Sequence, residues 1–90
     1  MEKSIILPWN VENANNAPSK CGVFALRSTP VNGDILFLSV SENLKDDILK
    51  SFENDEFEGK IKYFDWYATD NLEEAEKLKS ELIEKHHLEF

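Results

Sequence analysis

The chain has 90 residues, 41% hydrophobic and 11% aromatic, which is typical of one small globular domain rather than of a disordered segment. Its formal net charge of -8 disfavours a nucleic-acid-binding surface, because phosphate binding needs clustered Lys and Arg. The single cysteine, Cys21, excludes an internal disulfide. No apolar run is long enough for a membrane span or a signal peptide, so we predict a cytoplasmic protein with no membrane contact.

The first half of the chain predicts a lead-in followed by a β-hairpin. Residues 1–20 are predicted to pack on the domain, with Asn10 capping a short helical turn that ends before Pro18. The domain itself is predicted to span residues 21–90. Residues 22–28 alternate as a strand, Asn32-Gly33 is a turn signal, and the apolar run 35–40 predicts a second, antiparallel strand.

The second half predicts a helix, a strand and another helix. Ser41 is the expected N-cap of a helix that ends near Glu53, and residues 54–59 are expected to form a loop. Residues 61–68 have the aromatic density of a strand, and Asp70 is the expected N-cap of a helix that reaches about His87. The predicted fold class is therefore α/β (α+β): a small three-stranded antiparallel sheet flanked by helices, in the order β-β-α-β-α.

A charged residue lies within the apolar stripe of the last predicted helix. At about 100° per residue, Lys79 falls between the apolar positions, which are Leu72, Ala75, Leu78, Leu82 and Ile83. Either the long Lys79 stem reaches water, or this face borders a pocket where a charge is tolerated. His86 falls on the same arc, but the adjacent His87 points to another face, so one helix could not use both as ligands. We predict no metal site.

Acidic residues are concentrated in the middle of the chain. Between residues 42 and 58 there are seven acids against Lys45 and Lys50. This segment is either a solvated acidic helix and loop or an acidic interaction surface. The second interpretation would use Glu42, Asp46, Glu53, Asp55, Glu56 and Glu58.

Four short segments, taken in order, resemble the GIY-YIG nuclease family. Gly22-Val23-Phe24 is similar to the first half of the family signature, and Leu36-Phe37-Leu38-Ser39 stands where the second half is expected. Residues 41–44 resemble the run that leads into the first helix, and Glu74-Ala75 followed by residues 81–85 resembles the late helix that carries the catalytic glutamate. The resemblance covers roughly residues 9–86 and rests on the order and spacing of these matches, since no single motif is specific.

The resemblance implies a site whose catalytic residues are replaced. In the family, two tyrosines, an arginine and a glutamate surround one divalent cation, for which a carboxylate is a natural ligand. Here Phe24 and Phe37 stand for the tyrosines, and Ser39 stands for the signature glycine. Asp47 stands for the arginine and Lys79 for the glutamate, so both charges are reversed. We therefore predict no catalytic residue and no cofactor, and an ion pair between Asp47 and Lys79 is a further hypothesis.

Three functions are compatible with these residues. The first is a non-catalytic binding or interaction module of unknown ligand, with a protein rather than a nucleic acid as the expected partner. The second is a divergent metal-dependent nuclease acting on DNA, in which Glu76 would replace the missing glutamate. The third is an acidic decoy that binds a nucleic-acid-binding protein. Exposed rings at Phe24 and Phe37 would favour a stacking ligand, whereas buried rings would mean that the pocket has become core.

Overall fold

The structure, a computed structural model, describes residues 2–29, 35–53 and 59–86, with only the backbone of residue 86. Within these residues, five strands form one antiparallel sheet: β1 (Glu2–Lys3), β2 (Leu7–Pro8), β3 (Gly22–Arg27), β4 (Ile35–Ser41) and β5 (Tyr63–Ala68). The helices are α1 (Val11–Asn15), α2 (Leu44–Ser51) and α3 (Leu72–His86). The strand order is β1-β5-β3-β4, with β2 also pairing with β5. The predicted Asn32-Gly33 turn lies outside the described residues, as does the predicted loop 54–59 except for Gly59.

The predicted fold class is confirmed, but the described part of the chain forms five strands rather than three. The two additional strands, β1 and β2, come from the lead-in and pair with opposite ends of β5. Each has two residues, which is too short to show an alternating pattern, so the sequence alone could not predict them. Their pairing depends on tertiary contact with β5. The domain boundary near residue 20 stays a prediction.

The two faces of the sheet carry two separate hydrophobic cores. Successive residues of a strand point to opposite faces, so Phe24 and Leu26 lie on one face while Val23 and Ala25 lie on the other. The first face packs against the helices α1 and α2, and its cluster includes Phe64 and Ile48. The second face packs against α3, through Ala75, Leu78, Leu82 and Ile83. These four α3 residues confirm the predicted stripe, but Leu72 is 38% exposed because it lies in the first turn.

Trp9 anchors the lead-in to the first core. Its ring stacks on Phe52, with centroids 3.9 Å apart and planes 5° apart, and meets Phe64 edge-on at 5.3 Å. The predicted cap at Asn10 is confirmed, since its Oδ1 accepts a hydrogen bond from the Asn13 N–H at 2.7 Å. Lead-in residues therefore contribute to the sheet, to a helix and to the core.

Both predicted N-caps of the longer helices are wrong by one or two residues. Helix α2 is capped by Asn43, whose Oδ1 accepts from the Asp46 N–H at 3.2 Å, because β4 continues as far as Ser41. At α3 the side chain that accepts from the first turn is Asn71, whose Oδ1 receives the Glu74 N–H at 2.8 Å. In each case the sequence offers two adequate capping residues, and the one that caps the helix is the residue directly before its first turn.

Gly22 permits a close approach of β3 and β5. It lies directly opposite Ala68, in the middle of the sheet. A Cβ built on Gly22 would lie 1.9 Å from the Tyr67 carbonyl oxygen, which is a backbone atom held in the sheet. Glycine is the residue that fits this position without displacing β5.

None of the helices in the described part of the chain combines the length and the apolar character that a membrane span requires.

Candidate functional site

Phe24, Phe37 and Ser39 lie together on the first face of the sheet. Phe24 in β3 is 3% exposed and belongs to the first core, and it pairs directly with Ser39 in β4. The Phe37 ring packs against this core, with its centroid 6.2 Å from that of Phe24 and the planes tilted by 53°. The Ser39 hydroxyl donates to the Val40 carbonyl at 3.1 Å. Phe24 is therefore packed as core rather than presented for stacking.

Asp47 is linked to the same face of the sheet by a hydrogen bond from Ser41, the last residue of β4. The Ser41 hydroxyl donates to Asp47 Oδ2 at 2.5 Å and accepts from the Asn43 N–H at 3.0 Å. One serine thus connects the end of β4 to the first turn of α2. The Asp47 carboxylate is half-buried and already holds a strong donor.

Lys79 is carried by the helix on the opposite layer. It is half-buried on α3, which packs on the second face of the sheet, whereas Asp47 lies on α2 at the first face. The ion pairs within 4.0 Å that described residues form with one another are Lys20–Glu2 and Arg27–Asp65. The predicted pair of Asp47 and Lys79 is therefore not formed, because the sheet separates the two helices.

A buried charged cluster on the second face was missed by the sequence analysis. Arg27 is 2% exposed and Asp65 is 4% exposed, and they form a bidentate pair with Nε–Oδ1 at 2.9 Å and Nη2–Oδ2 at 3.3 Å. Burial raises the pKa of Tyr67, and the Asp65 charge raises it further, while Arg27 lowers it. The sequence does contain a pattern that could have indicated this cluster. Asp65 alternates with Tyr63 and Tyr67 along β5, and Arg27 is the one arginine of the chain.

The comparisons with solved structures agree with this architecture. The GIY-YIG N-terminal endonuclease domain of UvrC from Thermotoga maritima matches with a TM-score of 0.69 and 17% identity, over 84% of this chain and 88% of that domain. Two further structures of that domain match with TM-scores of 0.66 and 20% identity, over 84% and 87%. The chain has the GIY-YIG fold. No family model and no curated protein sequence matches it.

Within the GIY-YIG fold, the predicted signature positions fall on paired strands. Gly22-Val23-Phe24 begins β3, and Phe37 and Ser39 lie on β4 beside it. The structure thus brings Phe24, Phe37 and Ser39 together, three of the five predicted site positions. Asp47 is linked to them by its hydrogen bond with Ser41, whereas Lys79 lies on the helix that packs on the other face of the sheet. Among the described residues, no group of three His, Cys, Asp or Glu side chains is arranged to hold a metal ion.

The acidic segment is described only in part. Glu42, Asp46 and Glu53 are exposed at the ends and outer side of α2. The remaining predicted members of the acidic surface lie outside the described residues: Asp55, Glu56 and Glu58.

Two cavities open along the edge of the sheet formed by the lead-in. The first, about 410 Å³, lies between the start of β1 and the β5–α3 connection and includes Cys21 and Thr69. Its Cys21 thiol donates to the Thr69 carbonyl oxygen at 3.4 Å, and its Lys20 pairs with Glu2 at 3.0 Å. The second, about 390 Å³, is lined by Lys3, Ser4, Ile5, Ile6, Asp65 and Tyr67. It is the one that meets the buried charged cluster.

Proposed function

We propose that this chain is a non-catalytic domain that keeps the GIY-YIG nuclease fold as a binding or interaction module. The observation that carries the proposal is the packing of Phe24, which is buried in the first core with Phe37 against it. A ring that fills a core cannot orient an attacking water. The cytoplasmic location and the protein partner predicted from the sequence belong to the same proposal.

The two charge-reversed positions bear on cation binding, a separate question that the two phenylalanines do not decide. The matched structures of the UvrC domain are tyrosine-to-phenylalanine point mutants bound to the catalytic divalent cation. Loss of one phenol is therefore compatible with cation binding in that domain. A lysine in place of the glutamate is different, because an ammonium group repels a cation and cannot ligate it. With Lys79 and a serine-bound Asp47 at those positions, the residues do not fit a divalent cation.

The competing proposal is a divergent metal-dependent nuclease that uses Glu76. This residue is exposed and lies about one turn before Lys79 on α3. A single exposed carboxylate is a weak ligand for Mg²⁺, which keeps most of its water. The competing proposal therefore predicts that any DNA cleavage by this chain requires Glu76.

The deciding experiment is a cleavage assay with the whole chain. Single-stranded, duplex and branched DNA are incubated with Mg²⁺ or Mn²⁺, beside an active GIY-YIG enzyme as positive control. We expect no cleavage above the metal-only background. Cleavage that Glu76→Gln abolishes and the matched variant Glu73→Gln retains would overturn the non-catalytic proposal, since both glutamates are exposed on α3.

The acidic surface supports a second form of the binding role. Net charge -8 and the exposed residues Glu42, Asp46 and Glu53 favour a basic protein partner through charge complementarity. Co-purification with such a partner that weakens as salt rises from about 0.05 to 0.5 M supports this decoy-like role. Salt-independent association would count against it.

A further inference from the structure

The edge of the sheet formed by the lead-in contains a β-bulge. Lys3 pairs with Tyr67 and Leu7 pairs with Phe64, so three lead-in residues face two residues of β5. The Ser4 N–H donates to the Trp66 carbonyl at 2.9 Å, and the Trp66 N–H donates to Ser4 Oγ at 3.0 Å. These two bonds hold Ser4 in place and leave Ile5 and Ile6 opposite Asp65. Bulges commonly re-aim side chains beside functional sites.

An exposed apolar side chain and a buried charged one meet at this bulge. Ile5 is 77% exposed, the most exposed large hydrophobic of the described residues, whereas Asp65 is 4% exposed. Both line the cavity of about 390 Å³ identified above, which we call the bulge cavity. Its volume lies at the lower end of the range for small-ligand sites, roughly 300–1,000 Å³. Apolar side chains are usually buried and charged ones exposed, so an exposed apolar surface and a buried charge are the two exceptions that point to function.

The charges around the bulge cavity favour a single negative charge on the ligand. The Asp65 carboxylate is bonded through both oxygens to Arg27, so this pair is neutral as a unit. Lys3 is the remaining charge: its ammonium lies 5.9 Å from the centroid of the Tyr67 ring, and it forms no ion pair within 4.0 Å with another described residue. The chain as a whole carries -8, which disfavours a more highly charged anion.

We propose that the bulge cavity binds a small organic carboxylate with an apolar body. The carboxylate contacts the Lys3 ammonium and the Ser4 hydroxyl, whose oxygen accepts from Trp66 and whose proton can be donated to a ligand. The apolar body covers Ile5 and Ile6 and packs on the ring of Tyr67. This site lies at the edge of the sheet beyond β5, away from Phe24 and Phe37. Its lining includes none of the five replaced positions, so the proposal does not depend on whether the chain cleaves DNA.

The test is an NMR titration of the full chain with phenylacetate, using its neutral counterpart phenylacetamide as the matched ligand. We expect saturable shifts confined to residues 3–6 and 65–67, with a dissociation constant below about 1 mM, and much weaker shifts with the amide. Shifts that fail to saturate, that map elsewhere, or that are equal for the two compounds would overturn the proposal.

Variants of exposed residues complete the test without endangering the fold. We expect Lys3→Gln to weaken phenylacetate binding about tenfold, because a charge-assisted contact is lost. Ile5→Ser is expected to weaken binding by removing apolar contact. Lys20→Gln is the matched control, since Lys20 is an exposed lysine of the neighbouring cavity paired with Glu2. Equal affinity of Lys3→Gln and Lys20→Gln would contradict the assigned carboxylate contact.

Discussion

At the scale of single residues, Arg27 and Asp65 form an ion pair that is almost completely removed from water. Breaking such a pair leaves an uncompensated buried charge, so we expect Asp65→Asn to lower the free energy of unfolding by about 3–5 kcal/mol. Replacing both partners by apolar residues, as in the double variant Arg27→Met with Asp65→Leu, is expected to cost less than that single change. Urea unfolding of the three proteins checks this, and a double variant less stable than Asp65→Asn would contradict it.

Tyr67 makes stability depend on alkaline pH. Its pKa is raised above the ordinary value by burial first and by the Asp65 charge second. The pKa of Tyr67 in the folded chain exceeds the unfolded value of about 10. The contribution of the neutral Tyr67 to the free energy of unfolding is therefore complete below about pH 10, and it is lost as pH rises through the folded pKa. We expect Tyr67→Phe to lose less stability than the unchanged chain between about pH 9 and pH 11. Parallel losses of the two proteins in urea unfolding would show that Tyr67 is not responsible.

The individual site residues show where sequence patterns carry information and where they do not. The order of Phe24, Phe37 and Ser39 along the chain allowed a fold resemblance to be stated, and the structure places the three side by side. The pair of Arg27 and Asp65 could not be predicted in the same way, because its partners are 38 residues apart and meet only through the register of β3 with β5. The hypothesis of an Asp47–Lys79 pair was wrong because the family resemblance gives the positions of the two residues along the chain but not the face of the sheet on which each helix packs.

At the scale of secondary structure elements, the N-cap of α3 distinguishes two adjacent residues. We expect Asn71→Ala to lower the free energy of unfolding by about 1 kcal/mol, because the Glu74 N–H loses its acceptor. Asp70→Ala is expected to cost at most about 0.5 kcal/mol, since only a favourable charge near the helix terminus is removed. Chemical denaturation of both variants measures the difference. A larger loss for Asp70→Ala would restore the cap predicted from the sequence.

The contact between β3 and β5 depends on the absence of a side chain at Gly22. We expect Gly22→Ala to lower the free energy of unfolding by about 3 kcal/mol or more, because its Cβ would meet the Tyr67 carbonyl and force the strands apart. Gly59→Ala is the matched control: among the described residues other than its chain neighbours, no atom lies within 4 Å of a Cβ built there, but its φ of 76° disfavours alanine. We expect that control to cost about 1 kcal/mol. Equal losses would mean that β5 accommodates the methyl group.

The elements that the sequence predicted best are those with a repeating pattern. Alternation located β3 and aromatic density located β5, each to within a residue or two, and the apolar stripe placed α3 correctly on a core. The strands β1 and β2 have no such pattern, because two residues cannot alternate in a recognisable way. They form where β5 offers an edge, so they follow from the assembled sheet rather than from local preference.

At the scale of the whole molecule, the net charge of -8 predicts that moderate salt stabilises the fold. Screening weakens the repulsion among the excess acids, and the one exposed ion pair of the described residues, Lys20–Glu2, loses little in return. We expect the melting temperature to rise by a few degrees between about 10 mM and 150 mM NaCl. A fall in melting temperature over this range would show that attractive pairs dominate the surface.

The two outer edges of the sheet differ in a way that limits how the protein can associate. One edge consists of β1 and β2, which are short, separated by a bulge and end in Pro8, a residue without an N–H to donate. At the other, β4 has seven residues without charge or proline, and it pairs with β3 on one side only among the described strands. If two copies pair through the edges of their sheets, each copy therefore uses its β4 strand, the one edge that can accept another strand. Such an assembly closes at two molecules and cannot grow into a fibre.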